Sequence, residues 1–129
     1  MRRMPRPSPV RDAIAELVGA ADRHDWSIED LIEALGERGL DANFSTAFRA
    51  VEKLEADGAI RRVELGDGKA RYEAAGGAHH EHVRCQQCGA VAAVPGCVVD
   101  AALPRVQDAT GFRVTGHQIL FEGVCPRCS

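Results

Sequence analysis

Two pairs of cysteines with CxxC spacing are the residues of this chain that most clearly predict chemistry. They are Cys85 with Cys88, in CQQC, and Cys125 with Cys128, in CPRC. Two such pairs far apart in a sequence can close four thiolates around one ion, as in structural zinc sites. A redox dithiol is the alternative, but its reactive cysteine starts a helix, and no helix is expected after Cys128. We therefore predict that the four cysteines hold a structural Zn²⁺.

Three histidines and a glutamate, in the sequence HHEH, come just before the first cysteine pair. Neighbouring side chains of an extended strand point to opposite sides, so His80 and His82 should face one way and His79 and Glu81 the other. Imidazole and carboxylate groups bind metal ions, and the two faces therefore suggest two further ions. Other groups must complete these sites, and those available at the ends of neighbouring elements are Glu73, Asp100 and His117.

An enzymatic function fits these residues poorly. A zinc deaminase would carry HxE followed by PCxxC, but Pro126 lies inside the terminal cysteine pair and not before it. A zinc ion enclosed by four cysteines also lacks the open position that catalysis requires. We therefore predict that the chain is not an enzyme.

The composition is that of a soluble globular protein, and 129 residues are enough for one ordinary domain or two small ones. No apolar run is long enough to cross a membrane, and the N-terminal MRRMPRPSPV lacks the apolar segment of a secretory signal. Five cysteines, four of them in CxxC pairs, favour zinc in a reducing compartment over disulfides. We expect the fifth, Cys97, to be a small buried apolar residue; the alternative is that it approaches a sensed metal ion or an oxidant. We also expect a cytoplasmic protein without membrane contact.

The first 75 residues predict three helices and a hairpin. Residues typical of helix starts stand at three places: Ser8 with Pro9, Ser27 with Asp30, and Asn43 or Ser45. Apolar residues at helical spacing follow each start. We expect those of the third helix to form its buried side: Phe44, Ala47, Phe48, Val51 and Leu54. A glycine-containing turn at residues 66–69 then joins two short strands, which completes the pattern of a winged helix-turn-helix.

A winged helix presents its third helix to the major groove of DNA. Candidates for base and phosphate contacts are therefore Ser45, Thr46, Arg49 and Lys53 on that helix, with Arg61, Arg62, Lys69 and Arg71 on the wing. The alternative is a charged helix face that only meets solvent. The net charge of −3 also counts modestly against nucleic-acid binding.

Small and glycine-rich residues at 74–78 predict a hinge, so we place a DNA-binding domain at residues 1–75 and a second domain at 76–129. The second domain should contain strands around the first CxxC, one or two strands within residues 112–124, and a helix at about residues 99–110. That helix would bury Val99, Leu103, Val106 and Ala109. So small a domain buries little core, and zinc and a second copy would add stability. We expect a homodimer with a sheet continued across a two-fold axis.

Taken together, these residues resemble the ferric uptake regulator (Fur) family of metal-dependent bacterial repressors, including its zinc-responsive members. The resemblance covers nearly the whole chain: STAFRAVEKLEADG, the wing GDGKARYE, HHEH before a CxxC, and a terminal CxxC. It implies an α+β protein, with a winged helix-turn-helix domain followed by a small zinc-stabilised dimerisation domain. Such a protein represses metal-homeostasis genes by binding a double-stranded DNA operator when Fe²⁺, Zn²⁺ or Mn²⁺ is bound. The alternative is a zinc-stabilised interaction or metal-storage module that does not bind DNA.

Carried over by position, the resemblance implies a regulatory metal site at the hinge with Glu73, His80 and His82 as ligands. A further ligand would come from the loop between the first two helices, where the family often has a histidine. The matching position is Asp25 and its neighbour is His24, so either residue is a candidate. The absence of a cysteine from the hinge favours iron or manganese, although zinc also accepts such ligands.

The resemblance also bears on a second metal site and on DNA contacts. The second site would use His79, Glu81, Asp100 and His117. Phe48 stands in the recognition helix where a tyrosine is common, and we include it among the candidate DNA contacts. The family usually has an additional basic helix at its N-terminus, and the cations available to replace it are Arg2, Arg3 and Arg6.

Overall fold

The computed structural model of the chain describes residues 8–76 and 80–129. The candidate residues Arg2, Arg3, Arg6 and His79 lie outside the described residues. The chain forms two compact units, the first made of Met1–Val63 with Lys69–Gly76 and the second of Glu64–Gly68 with Gly77–Ser129. The structure therefore mixes helix and sheet in an α+β arrangement, as the sequence predicts. Each unit has its own sheet.

Three helices begin the first unit: α1 (Pro9–Ala20), α2 (Ile28–Glu37) and α3 (Phe44–Ala56). Each starts at a predicted cap. The Ser8 hydroxyl accepts from the amide of Arg11, and Ser27 forms a reciprocal capping box with Asp30. For α3 the cap is Asn43 and not Ser45, since Asn43 Oδ1 accepts from the amide of Thr46 at 2.8 Å. These bonds satisfy amides that have no partner inside a helix, which fixes where each helix begins.

The apolar stripes of the three helices form the core of the first unit. Its most deeply buried members include Ile14, Val18, Leu31, Leu35 and Val51. The prediction for Phe44 is wrong, because this first residue of α3 is 52% exposed. Phe48 is only partly buried and stacks on Phe44 with ring centroids 6.0 Å apart. Ala50 is buried instead, so the inner face of α3 is formed by Ala47, Ala50, Val51 and Leu54.

A two-stranded hairpin follows α3, with β1 (Ile60–Val63) antiparallel to β2 (Arg71–Ala74). Its register places Arg61 opposite Glu73. The loop between α1 and α2 is joined to the hairpin, because the amide and carbonyl of Trp26 exchange hydrogen bonds of 3.0 and 2.8 Å with those of Tyr72. Three helices and this hairpin constitute the predicted winged helix, and the Trp26 bridge brings the loop residues next to β2.

The second unit is built on β3 (His80–Cys85), the middle strand of a three-stranded sheet. On one edge β3 pairs antiparallel with β4 (Val91–Pro95), and on the other it pairs parallel with β5 (Leu120–Gly123). The turn between β3 and β4 contains Gly89 with a φ of 78°, a conformation that favours glycine. The strand that carries the predicted ligands is therefore held on both edges.

The helix of the second unit, α4 (Leu103–Thr110), follows a short 3-10 turn at Asp100–Ala102. Pro104 lies in its first turn, where a missing amide costs no hydrogen bond. The expected burial of its apolar face is wrong for the single chain, because no residue of α4 is buried and Val106 is 45% exposed. Within residues 112–124, where the sequence predicted one or two strands, the structure has a single short strand, β5 (Leu120–Gly123). Among the described residues, no helix is long and apolar enough to span a bilayer.

Replacement of Leu31 by alanine should destabilise the first unit. Leu31 is fully buried between the helices, so Leu31→Ala is expected to lower the free energy of unfolding by about 2–5 kcal/mol. Phe44→Ala is the matched control and should cost less than about 0.5 kcal/mol, because it removes an exposed ring. Urea unfolding followed by the fluorescence of Trp26, the only tryptophan, reports on this unit. Equal losses in the two variants would contradict this account of the core.

Candidate metal centres and DNA-contact face

Four cysteines of the second unit come together at the end of β3. The sulfur atoms of Cys85, Cys88, Cys125 and Cys128 all lie within 4.8 Å of one another. The Sγ atoms of Cys88 and Cys125 are 3.7 Å apart. A tetrahedral zinc ion with Zn–S bonds of about 2.3 Å separates its sulfurs by about 3.8 Å, so the observed spacing fits such an ion. The parallel pairing of β3 with β5 brings the second cysteine pair to the first.

The backbone around these cysteines favours negative charge on one sulfur. The amides of Cys88 and Cys125 donate hydrogen bonds to the sulfur of Cys85, and these bonds lower its pKa to about 6. Cys128 lies among the other sulfurs, and hydrogen bonds with the Cys125 and Cys88 side chains raise its pKa to about 12. Four ionised thiolates this close together repel one another, so a divalent cation is the partner that would let all of them ionise.

A buried carboxylate organises the ligands of the first unit. Glu73 is 1% exposed, and its Oε1 accepts from Arg61 Nε at 2.7 Å. Its Oε2 lies 2.7 Å from His24 Nδ1, and the other ring nitrogen of His24 lies 3.1 Å from Asp22 Oδ1. Asp25 instead accepts from Arg23 at 2.9 Å. Of the two loop candidates, His24 is therefore the one hydrogen-bonded to Glu73, because the Trp26 bridge to β2 draws the loop against that strand.

Two histidines of the second unit share one side of β3. The ring centroids of His80 and His82 are 4.9 Å apart, and His82 is nearly buried. This follows from the alternation of side chains along the strand. Each unit thus contributes two of the proposed regulatory ligands, and the joining of the two pairs around one ion stays a prediction.

The opposite side of β3 carries a different cluster. Glu81 is 3% exposed, and its Oε1 lies 2.7 Å from His117 Nε2. Cys97 Sγ lies 3.7 Å from the same nitrogen, and the ligand atoms of these three residues are all within 4.8 Å of one another. Asp100 is exposed at the start of the 3-10 turn and does not belong to this group among the described residues. The place of Cys97 beside Glu81 and His117 was not predicted, although a cysteine that follows the strand next to β3 was a usable signal.

The outer face of α3 is accessible, as a DNA-contact helix requires. Ser45, Arg49 and Lys53 are exposed, while Thr46 and Phe48 are partly buried. On the wing, Arg62 and Lys69 are exposed. Arg61 is bound to Glu73, so the DNA contact predicted for it would have to share or break that ion pair. The strand register places Arg61 opposite Glu73 and so indicates this ion pair, but the register is known only from the structure.

Comparison with known proteins gives consistent results. The model of the Ferric uptake regulator family matches residues 4–122. The Ferric uptake regulation protein of Neisseria meningitidis serogroup A is 32% identical over 108 residues, covering 84% of this chain and 74% of that protein. That of Legionella pneumophila is 27% identical over 118 residues, covering 92% and 87%. The iron-bound Ferric uptake regulator from Francisella tularensis superposes with a TM-score of 0.84 at 22% identity, covering 99% of this chain and 97% of that one.

Replacement of one cysteine should show whether the four-cysteine group holds the structural zinc. Cys85→Ser takes away the sulfur that accepts two backbone hydrogen bonds, so the chain should lose its tightly held zinc and the second unit should unfold. Zinc content and circular dichroism measure the two effects. Cys97→Ser is the matched control and should retain this zinc, because Cys97 is not part of the four-sulfur group. A folded, zinc-free Cys85→Ser protein would refute the assignment.

Proposed function

The chain belongs to the ferric uptake regulator family, and from this premise we propose that it is a repressor controlled by a divalent ion bound at the hinge. It is a metal-responsive transcriptional regulator that binds DNA, with zinc and a regulatory metal as its cofactors. We place its action in the cytoplasm, where the operator and reduced thiols are both available. We assign it no catalytic step.

The observation that carries the proposal is the buried Glu73 between His24 and Arg61. A carboxylate that is almost completely buried is costly unless it is paired, and here the pairing ties the α1–α2 loop to the wing strand β2. A divalent ion supplies positive charge and coordination bonds at this carboxylate. Arg61 would hold Oε1 in place while Oε2 remains directed at the ligand position, so Arg61 acts as a positioning residue.

The proposed ligand set is Glu73 and His24 from the first unit with His80 and His82 from the second. Three imidazoles and one carboxylate suit Fe²⁺, Mn²⁺ and Zn²⁺ alike, so these ligands alone do not select one metal. Because two units supply the ligands, binding would favour one arrangement of the units over others. We propose that this selected arrangement is the one that fits the operator.

For DNA contact we propose the exposed side of α3 together with the wing. Ser45 and Arg49 would reach base edges or phosphates, with Lys53 toward the end of the helix. Thr46 and Phe48 would contribute from the border of this face, and Arg62 and Lys69 would contact phosphates from the wing. A net charge of −3 does not prevent this, because binding depends on the local concentration of cations on the contact face.

We also propose that the protein is a homodimer formed by the second unit. Among the described residues β5 pairs only with β3, on one of its two edges, and that unit also carries the exposed apolar side chains Val106, Phe112, Phe121 and Val124. Unpaired strand edges and exposed apolar groups commonly mark contact surfaces. A second copy would continue the sheet and place two winged helices on two half-sites of DNA.

Loss of both histidines on one side of β3 should abolish the metal response. His80→Ala with His82→Ala removes half of the proposed ligands, so the ratio of operator affinity with metal to that without metal should fall by at least about tenfold. Gel-shift assays on genomic fragments with Fe²⁺, Mn²⁺ or Zn²⁺ measure this ratio. Arg84→Ala on the same strand is the control and should respond normally. If the double variant still dimerises, keeps its zinc and responds fully to metal, the hinge site is excluded.

The DNA-contact face can be tested through the salt dependence of binding. Arg49→Ala should weaken operator binding, and if Arg49 contacts a phosphate it should reduce the slope of log affinity against log salt by about 1. Arg113→Ala removes the same charge from the second unit and should change neither quantity. Fluorescence anisotropy with a labelled operator at several salt concentrations gives both values. Equal effects of the two substitutions would argue against α3 as the contact helix.

A further inference from the structure

We propose that Cys97 is a ligand of the second metal site, together with Glu81 and His117, and that its thiolate makes this site selective for a zinc-type ion. The inference does not depend on DNA binding, because metal occupancy of this unit can be measured by itself. It differs from the ligand set expected from the resemblance, in which Asp100 takes part and Cys97 does not.

The sheet brings these three residues together from three chain segments. Glu81 lies on the central strand β3 and pairs with Val94 of β4. The chain leaves β4 at Pro95 and turns at Gly96, whose φ is 77°, directly before Cys97. On the other edge His82 pairs with Leu120, the first residue of β5, and His117 lies just ahead of that strand. Cys97 and His117 therefore approach Glu81 from the two strands that flank it.

The distances fit an ion that binds the Nε2 atom of His117. With Zn–S and Zn–N bonds of about 2.3 and 2.05 Å, tetrahedral geometry separates sulfur and nitrogen by about 3.6 Å. The observed distance from Cys97 Sγ to His117 Nε2 is 3.7 Å. Glu81 Oε1 is closer, at 2.7 Å, because it forms a hydrogen bond with the same nitrogen. A bound ion would take the place of the proton in that bond, with a movement of less than about 1 Å.

The donor types distinguish this cluster from the proposed regulatory ligands. A thiolate favours Zn²⁺ over Mn²⁺ and Fe²⁺, which prefer oxygen and nitrogen donors. Three protein ligands leave one position of a tetrahedral ion for water or a further group. Asp100 would supply a harder oxygen donor, but it is exposed and outside the cluster. The proposed regulatory site and this second site, whose β3 ligands lie on opposite faces of that strand, would then prefer different metals.

Cobalt titration of the full-length chain tests the proposal, with the four-cysteine site kept loaded with zinc. The titration uses protein that also carries His80→Ala and His82→Ala, so that the hinge ligands do not compete. Added Co²⁺ should produce a sulfur-to-cobalt charge-transfer band in the near ultraviolet. Cys97→Ser should remove this band and weaken Co²⁺ binding by at least about tenfold. Asp100→Asn is the matched control and should leave the band and the affinity unchanged.

Three results would overturn the proposal: no charge-transfer band on Co²⁺ addition, a band of equal strength in Cys97→Ser, or loss of Co²⁺ binding in Asp100→Asn but not in Cys97→Ser. Circular dichroism and retention of one tightly held zinc per chain show whether each variant is folded. Selectivity is tested by displacement, in which Zn²⁺ should release bound Co²⁺ at a lower concentration than Mn²⁺ does. Displacement by Mn²⁺ at the same concentration would refute the role given to the thiolate.

Discussion

Backbone hydrogen bonding on both edges of β3 is the constraint on which the candidate metal centres of the second unit depend. A strand paired on both sides cannot shift by one residue without breaking two ladders, so its side chains stay on fixed faces. His80 and His82 are held on one face and Glu81 on the other, and Cys85 ends the strand beside the remaining cysteines. Three groups of candidate metal ligands thus depend on the pairing of a single six-residue strand.

In the first unit, a buried charge plays the corresponding organising role. Glu73 contributes a carboxylate to an interior that is otherwise mostly apolar, and its pairing with Arg61 and His24 compensates for the lost hydration. Removal of either partner would leave the carboxylate less well satisfied. The same carboxylate thus links the geometry of the hairpin strand β2 to the position of the α1–α2 loop.

The features that the sequence predicted correctly are those that depend on residues a few positions apart. The helix starts at Ser8 and Ser27 were correct because capping depends on residues three positions apart. The structure also groups the four sulfurs of the two CxxC pairs and places the rings of His80 and His82 side by side, as the spacing within each short motif predicted. The misses concern long-range structure: Cys97 was expected to be a small buried apolar residue but lies beside His117, and the preference for His24 over Asp25 required the Trp26 bridge to Tyr72. The apolar face of α4 was identified, but its burial could not follow from one chain, because no described element of that chain covers it.

The parallel pairing of β3 with β5 also sets an order of events during folding. The amide of Cys125 donates a hydrogen bond to the sulfur of Cys85, 40 positions earlier in the sequence, and no short turn can bring parallel strands together. The winged helix, by contrast, is completed by contacts among residues that are all synthesised before β3. The first unit can therefore fold before the second is fully synthesised, whereas the four-cysteine group can close only once Cys125 and Cys128 have been made.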